Sequence, residues 1–211
     1  MKFFTHTIGL GLGLLAGSQF SLRLASHRQP YPMPHQFADA LDHPLRLCYR
    51  PPQKTVDGFG LGTGMTVLDL GCGTGIYLCE MAQRVGDGGI VHGVDLQQPL
   101  LNKAKVRVAS SGLMGRVRLH CSGAYELPMA DESVDVAVLI ATFSQIPDKL
   151  SALAELYRVL KPNARLIISE ELPDPAYTPA NIVHYWLADT GFHYAAQSGS
   201  LFCYSTLYVR S

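Results

Sequence analysis

Net charge is the first thing this sequence lacks: lysine plus arginine and aspartate plus glutamate number 17 each over 211 residues. With no field of one sign to draw in a polyanion, nucleic acid is not expected as a partner. There is also no C-x-x-C pair, no zinc-ligand spacing and no arginine-rich aromatic motif to reverse that expectation. The five cysteines, Cys48, Cys72, Cys79, Cys121 and Cys203, have no framework spacing, and an odd count leaves one unpaired in any disulfide scheme. A reducing compartment fits that usage, and small buried hydrophobes describe Cys79 and Cys121 better than metal ligands or nucleophiles. Internal repeats are absent, as are low-complexity tracts beyond a short glycine and leucine run. What is abundant is apolar material, 47% of residues against 16% charged, which excludes a disordered polymer and suits one domain with a two-sided core.

The amino-terminal segment has no formally charged residue from position 3 to 22, and positions 8–17 read IGLGLGLLAG. This apolar heart is shorter than the roughly 20 residues of a spanning helix, and no A-x-A cleavage site follows it. Residues 1–25 are read as a hydrophobic segment and candidate membrane anchor, with a helix packed on the domain or lying on a membrane surface as the alternative. If it spans, Arg23 and Arg28 outweigh Lys2 and place the following domain in the cytoplasm. Residues 26–34, with Pro30, Pro32 and Pro34, read as a linker, because that proline density prevents a continuous helix. The folded domain is then 35–211.

Within it, short apolar runs alternate with stretches of helical spacing. Residues 66–70, 90–94, 117–121, 134–140 and 164–169 are predicted strands; 76–85, 99–109 and 149–160 are predicted helices, the last stopped by Lys161-Pro162-Asn163. Such alternation calls for an α/β fold: a Rossmann-like, doubly wound, mostly parallel sheet with helices on both faces and right-handed crossovers. The unbroken apolar runs VLDL and VAVLI agree, since parallel strands are covered on both faces. A helix over 180–189 and strands over 191–196 and 201–209, joined by a 197–200 turn, predict a C-terminal antiparallel hairpin at the sheet edge.

The chemistry concentrates at VLDLGCGTG, residues 67–75: a strand, the acidic Asp69 and three alternate glycines opening a helix. Glycines there let the backbone turn sharply and approach a ligand closely. Asp95 ends the next strand 20 residues past Gly75, where a carboxylate can accept both hydroxyls of a ribose. A dinucleotide fingerprint would want glycine at position 76, and Ile76 stands there instead.

VLDLGCGTG followed by VHGVDL resembles the first two motifs of class I S-adenosylmethionine-dependent methyltransferases. ELPMADESVDVAVLIATF and LAELYRVLKPNARLIISE resemble the family's later regions, so the likeness covers about 62–171. The resemblance implies S-adenosyl-L-methionine as cofactor. Gly71, Gly73 and Gly75 would contact its methionyl part through the backbone, with Cys72 filling the loop and Asp69 ordering it. Asp95 would bind the ribose, Leu96 would pack on the adenine face, and Ala124 and Tyr125 would border the adenine edge. Gly123 stands where the family often has aspartate, which removes a side-chain acceptor and leaves backbone contact only.

The sulfonium is already an activated leaving group, so alignment of the acceptor supplies much of the acceleration. A general base is needed only for a protonated acceptor, and Gln145, Glu170, Glu171, His184 and Tyr185 are the candidates. The expected function is methyl transfer to a small-molecule or lipid-like acceptor by an enzyme held at the membrane, its domain facing the compartment where the cofactor is made. Two alternatives stay open: a membrane-tethered cofactor-binding protein without catalysis, and a nucleotide-dependent oxidoreductase.

Overall fold

The computed structural model describes residues 30–211 together with Gly17, Ser21, Arg23, Leu24, Ala25 and Arg28. The apolar segment 3–22 therefore lies almost wholly outside the described residues. Among those described, no helix is long and apolar enough to cross a membrane.

Seven strands form one sheet in the order β3-β2-β1-β4-β5-β7-β6. They are β1 Thr66–Leu70, β2 Ile90–Asp95, β3 Val117–Cys121, β4 Val134–Ile140, β5 Leu160–Glu171, β6 Phe192–Gly199 and β7 Cys203–Arg210. Pairings among β1 to β5 are parallel, whereas β7 runs antiparallel to both β5 and β6. It follows that β6 points the same way as β1 to β5, and that β7 is the one reversed strand. The expected hairpin is thus present at the edge, but its second strand is the inner one.

The predicted alternation is borne out, with the boundaries set by packing. The helix after the glycine loop begins at Leu78, two residues later than its apolar spacing suggests, because Gly75 and Leu78 first close a turn. Conversely β5 starts at Leu160, which already pairs with Val134; Asn163, with a left-handed φ of 64°, falls in the register shift before Arg165.

Helices cover both faces. On one side α2 Pro52–Asp57, α3 Leu78–Val85 and α4 Gln98–Ser110 are found, and here Val67, Val91, Met81, Leu101, Val136 and Ile167 are buried together; α1 Pro44–Tyr49 precedes them. On the other, α5 Lys149–Val159 and α6 Ala180–Leu187 enclose Leu68, Leu139, Leu156, Leu166, Val183 and Tyr208. Alternate residues of β1 and β4 feed the two cores, which is why both strands are largely apolar, Thr66, Asp69 and Asp135 apart. Before β1 stand three short elements absent from the sequence expectation: a 3-10 turn over His35–Ala40, then α1 and α2, each started by a proline at the position where a helix needs no N–H.

Candidate functional site

All parallel strands end on one side of the sheet, and the glycine loop leaves β1 there. Gly71, Gly73 and Gly75 have φ of 79°, 54° and 75°, left-handed values that L-residues with side chains resist. Space adds a second reason. A β-carbon at Gly71 would run into the Thr142 side chain, and one at Gly75 would lie 2.8 Å from Ala104 Cβ. At Gly73 the neighbour is Leu41 Cδ1, 3.1 Å away.

The loop is tied to β2. Gly71 N and Cys72 N donate to Val94 O at 2.8 and 3.0 Å, and Gly73 N donates to Asp95 Oδ2 at 2.9 Å. The other oxygen of Asp95 accepts Gln97 N at 2.9 Å. Asp95 is thus the residue that orders the loop, the role expected of Asp69. Each Asp95 oxygen has one lone pair engaged and one left, so two further donors can be received. Burial raises the Asp95 carboxyl above the ordinary range while the N–H groups of Gln97 and Gly73 pull it back.

Asp69 is fully buried, and its Oδ2 has no hydrogen-bond partner among the described residues. Burial first, and the Asp95 charge second, push it up to about 7. A buried acceptor beside a glycine cradle fits a cationic ligand with N–H donors, which describes the methionyl end of S-adenosylmethionine. Cys72 is buried, its thiol held well above the usual value by burial and by both carboxylates, so it fills the loop and carries no thiolate.

A cavity of about 30 Å³ adjoins the loop, lined by Asp69, Gly71, Cys72 and Gly73 on one side and by Leu41, Arg46, Tyr77 and Ile140 on the other. Leu41 and Arg46 come from the segment before α2, which lies across the strand ends. Met33 N donates to Gln145 Oε1 at 2.9 Å, and Gln97 accepts His35 N at 2.9 Å and donates to Met33 O at 2.8 Å. Asp42 takes Thr74 Oγ1 at 3.1 Å and pairs with Arg107. Met33, in the 26–34 stretch expected as a linker, is thus hydrogen-bonded to Gln145 and Gln97.

Leu96 is exposed and lies beside Gly123, where a β-carbon would come 3.3 Å from Leu96 Cδ2. A side chain at 123 would meet only this tip of Leu96. Ala124 is buried in the core, and Tyr125 is half-exposed with its hydroxyl accepting Asp148 N at 3.0 Å. Of the candidate bases, Glu170 and Glu171 stand at the end of β5, and Gln145 follows β4. His184 does not join them: it bonds Tyr208 Oη at 2.6 Å and meets Tyr194 edge to face, on the α6 side. Tyr185 is exposed.

Sequence reasoning missed Arg46, Arg50, Tyr77 and Gln97. Only Gln97, adjoining the Asp95 motif, had a local signal; the others reach the site through tertiary packing.

A sequence profile for the methyltransferase domain matches residues 68–168. A solved S-adenosylmethionine-dependent methyltransferase from Aquifex aeolicus is 31% identical, superposes with a TM-score of 0.80, and is matched over 85% of this chain and 100% of its own. This chain belongs to the S-adenosylmethionine-dependent methyltransferases. Among curated proteins, a ubiquinone/menaquinone biosynthesis C-methyltransferase of Vibrio vulnificus is 34% identical over 130 residues, 62% of this chain and 50% of that protein. A demethylmenaquinone methyltransferase of Lactiplantibacillus plantarum is 36% identical over 118 residues, 56% of this chain and 50% of that protein. The chain spans about half the length of the curated relatives it matches.

Proposed function

We propose that this chain transfers the methyl group of S-adenosylmethionine to a small, lipid-like acceptor of quinone type. The observation that carries the reading is the pair of carboxylates at the glycine loop: Asp95 with a free lone pair on each oxygen, and Asp69 with a buried oxygen awaiting a donor. When bound, the cofactor supplies a methyl group on an already activated sulfur. The chain's own part is orientation. Asp95 receives the ribose hydroxyls, Leu96, Ala124 and Tyr125 border the adenine, Asp69 attracts the methionyl ammonium, and the glycines let both ends lie against the backbone. Ile140 and the strand ends beyond it then face the acceptor, whose type is suggested by the quinone-methylating relatives.

A lipid-like acceptor also gives the uncharged segment 3–22 a purpose: holding the domain at a membrane, on its cytoplasmic side. The deciding experiment incubates the purified full chain with methyl-labelled cofactor and a reduced, prenylated 1,4-naphthoquinone. Label in the naphthoquinol supports the reading. Cofactor binding without transfer to this or to fractionated cell lipids would leave a binding protein, and no cofactor binding would remove the site assignment altogether.

A further inference from the structure

The turn between β6 and β7 carries two large apolar residues where turns are ordinarily polar. It reads Ser200-Leu201-Phe202, with Leu201 83% exposed and Phe202 46%. Because β6 runs in the same direction as β1 to β5, this turn lies on the side where the parallel strands end and the glycine loop begins. Two other elements bring apolar side chains to it. Leu172, exposed just after β5, donates its N–H to Phe202 O at 2.7 Å. The Tyr49 ring of α1 lies 5.8 Å from that of Phe202, and Leu45, one helical turn before Tyr49, is 70% exposed. The same helix sends Arg46 to the cofactor cavity, so Leu45, Leu172, Leu201 and Phe202 form an apolar rim at the border of the site. Neighbouring exposed apolar groups of this kind mark a contact surface.

Where the chain comes from indicates what that surface meets. Arg23 donates to Leu172 O, and its guanidinium lies 5.9 Å from the centre of the Tyr177 ring. The uncharged positions 3–22 therefore join the domain at this rim. In IGLGLGLLAG every position is apolar, so laying that run on the rim would cover one side of it and leave the other in water. A second copy seated on the rim would not account for the run at all. A bilayer takes in run and rim together. Charge agrees with this. From position 172 to 209 the only Asp, Glu, Lys or Arg residues are Asp174 and Asp189, and Asp189 precedes β6, at the far end of that strand. At the junction the charged residues are Arg23 and Arg28, which suit anionic headgroups.

We propose that the rim of Leu45, Leu172, Leu201 and Phe202 docks on a lipid bilayer and turns the strand-end side of the sheet, with its cofactor cavity, toward the membrane. This goes beyond anchoring by segment 3–22, which would tether the chain without turning any face of the domain to the lipid. The Leu201-Phe202 turn enters the headgroup boundary as an apolar wedge, and Arg23 stays at the level of the phosphates.

The test places a fluorescent reporter on the full chain. Trp186, the single tryptophan, is silenced as Trp186→Phe, and Leu201→Trp is added; because position 201 is largely exposed, the new indole needs no repacking. A control chain carries Met114→Trp, at an exposed site between α4 and β3 on the opposite side of the sheet. Vesicles of equal parts phosphatidylcholine and phosphatidylglycerol, with brominated acyl chains as quenchers, are then added. The Leu201→Trp chain should shift its emission to the blue and lose at least half its intensity, the Met114→Trp chain should do neither, and both should bind S-adenosylhomocysteine within about threefold of the parent. Should Leu201→Trp fail to fold, Leu172→Trp decides by the same readout. A chain that floats with the vesicles while the Leu201→Trp indole stays water-exposed overturns the docking face and leaves the tether. A chain that does not float overturns both. An indole already shielded from iodide before lipid is added also overturns the proposal, by assigning the rim to segment 3–22 or to a second copy, and so does equal quenching at Met114→Trp. Loss of S-adenosylhomocysteine binding in the parent would instead refute the cofactor site.

Discussion

Replacing Asp95 by alanine removes two things at once, and they can be measured apart. In the folded chain its carboxylate accepts Gly73 N and Gln97 N, each at 2.9 Å. Hydrogen bonds to a charged group contribute about 1.5 to 3 kcal/mol each, so losing both would cost about 3 to 6 kcal/mol. That sum is an upper bound, because burial holds the Asp95 carboxyl above its ordinary range and its removal relieves that desolvation. A net loss of about 2 to 4 kcal/mol corresponds to a fall in melting temperature on the order of 5 to 15 °C for a domain of this size. Binding should suffer separately: two ribose hydroxyls lose an ionised acceptor, which alone predicts at least a hundredfold weaker S-adenosylhomocysteine binding. Asp95→Asn should fall between, since its amide oxygen keeps one acceptor while its NH2 opposes the second N–H. Melting curves without ligand and titration calorimetry with S-adenosylhomocysteine read the two effects. If Asp95→Ala melts within a degree of the parent and binds within a few-fold, Asp95 is neither loop anchor nor ribose ligand.

Gly73→Val should leave a folded domain with S-adenosylhomocysteine binding lost by tenfold or more, since a branched side chain resists a φ of 54° and presses on Leu41 across the cavity; unchanged affinity in titration would refute the loop assignment. Gly75→Ala should destabilise by about 1 to 3 kcal/mol in denaturant titration, because its β-carbon meets Ala104 at 2.8 Å. Glu170 titrates at about 8 when folded against an ordinary 4.5, so the folded state holds an extra proton between those values and stability falls as pH rises through that window. Glu170→Gln should therefore be near neutral at pH 4 and stabilising above pH 8, on the order of 4 kcal/mol, and equal effects at both pH values would contradict the burial argument. Full-length protein should partition with membranes on cell fractionation, and recovery wholly in the soluble fraction would remove the anchor.

The centre of the fold was readable because local signals agreed there. Residues 67–75 carry a strand run, glycines and a helix start in one stretch, and Asp95 follows at the required distance. Direction within the terminal pair was not readable: residues 192–199 and 203–210 announce a hairpin, but which strand meets β5 depends on contacts with residues some 40 positions earlier. Residues 35–57 were opaque for another reason. Helices of six residues show no usable periodicity, so nothing local foretold that Arg46 and Arg50 would be carried to Glu171. The ordering of the loop by Asp95 in place of Asp69 was hidden as well, since it depends on which carboxylate the turned loop presents its N–H groups to.

The position of β7 governs the timing of assembly. Last of these seven strands in chain order, it nonetheless lies between β5 and β6, with Tyr204, Thr206 and Tyr208 buried. Until residues 203–210 emerge, β5 has a bare edge and β6 has no neighbour to pair with. The β5 to β7 half of the sheet must stay unfinished while β1 to β4 can already pair, so the strands around the glycine loop can assemble first. Nascent chains arrested before residue 203 should hold the cofactor cradle's strands yet expose an apolar ledge along β5, a natural landing place for chaperones.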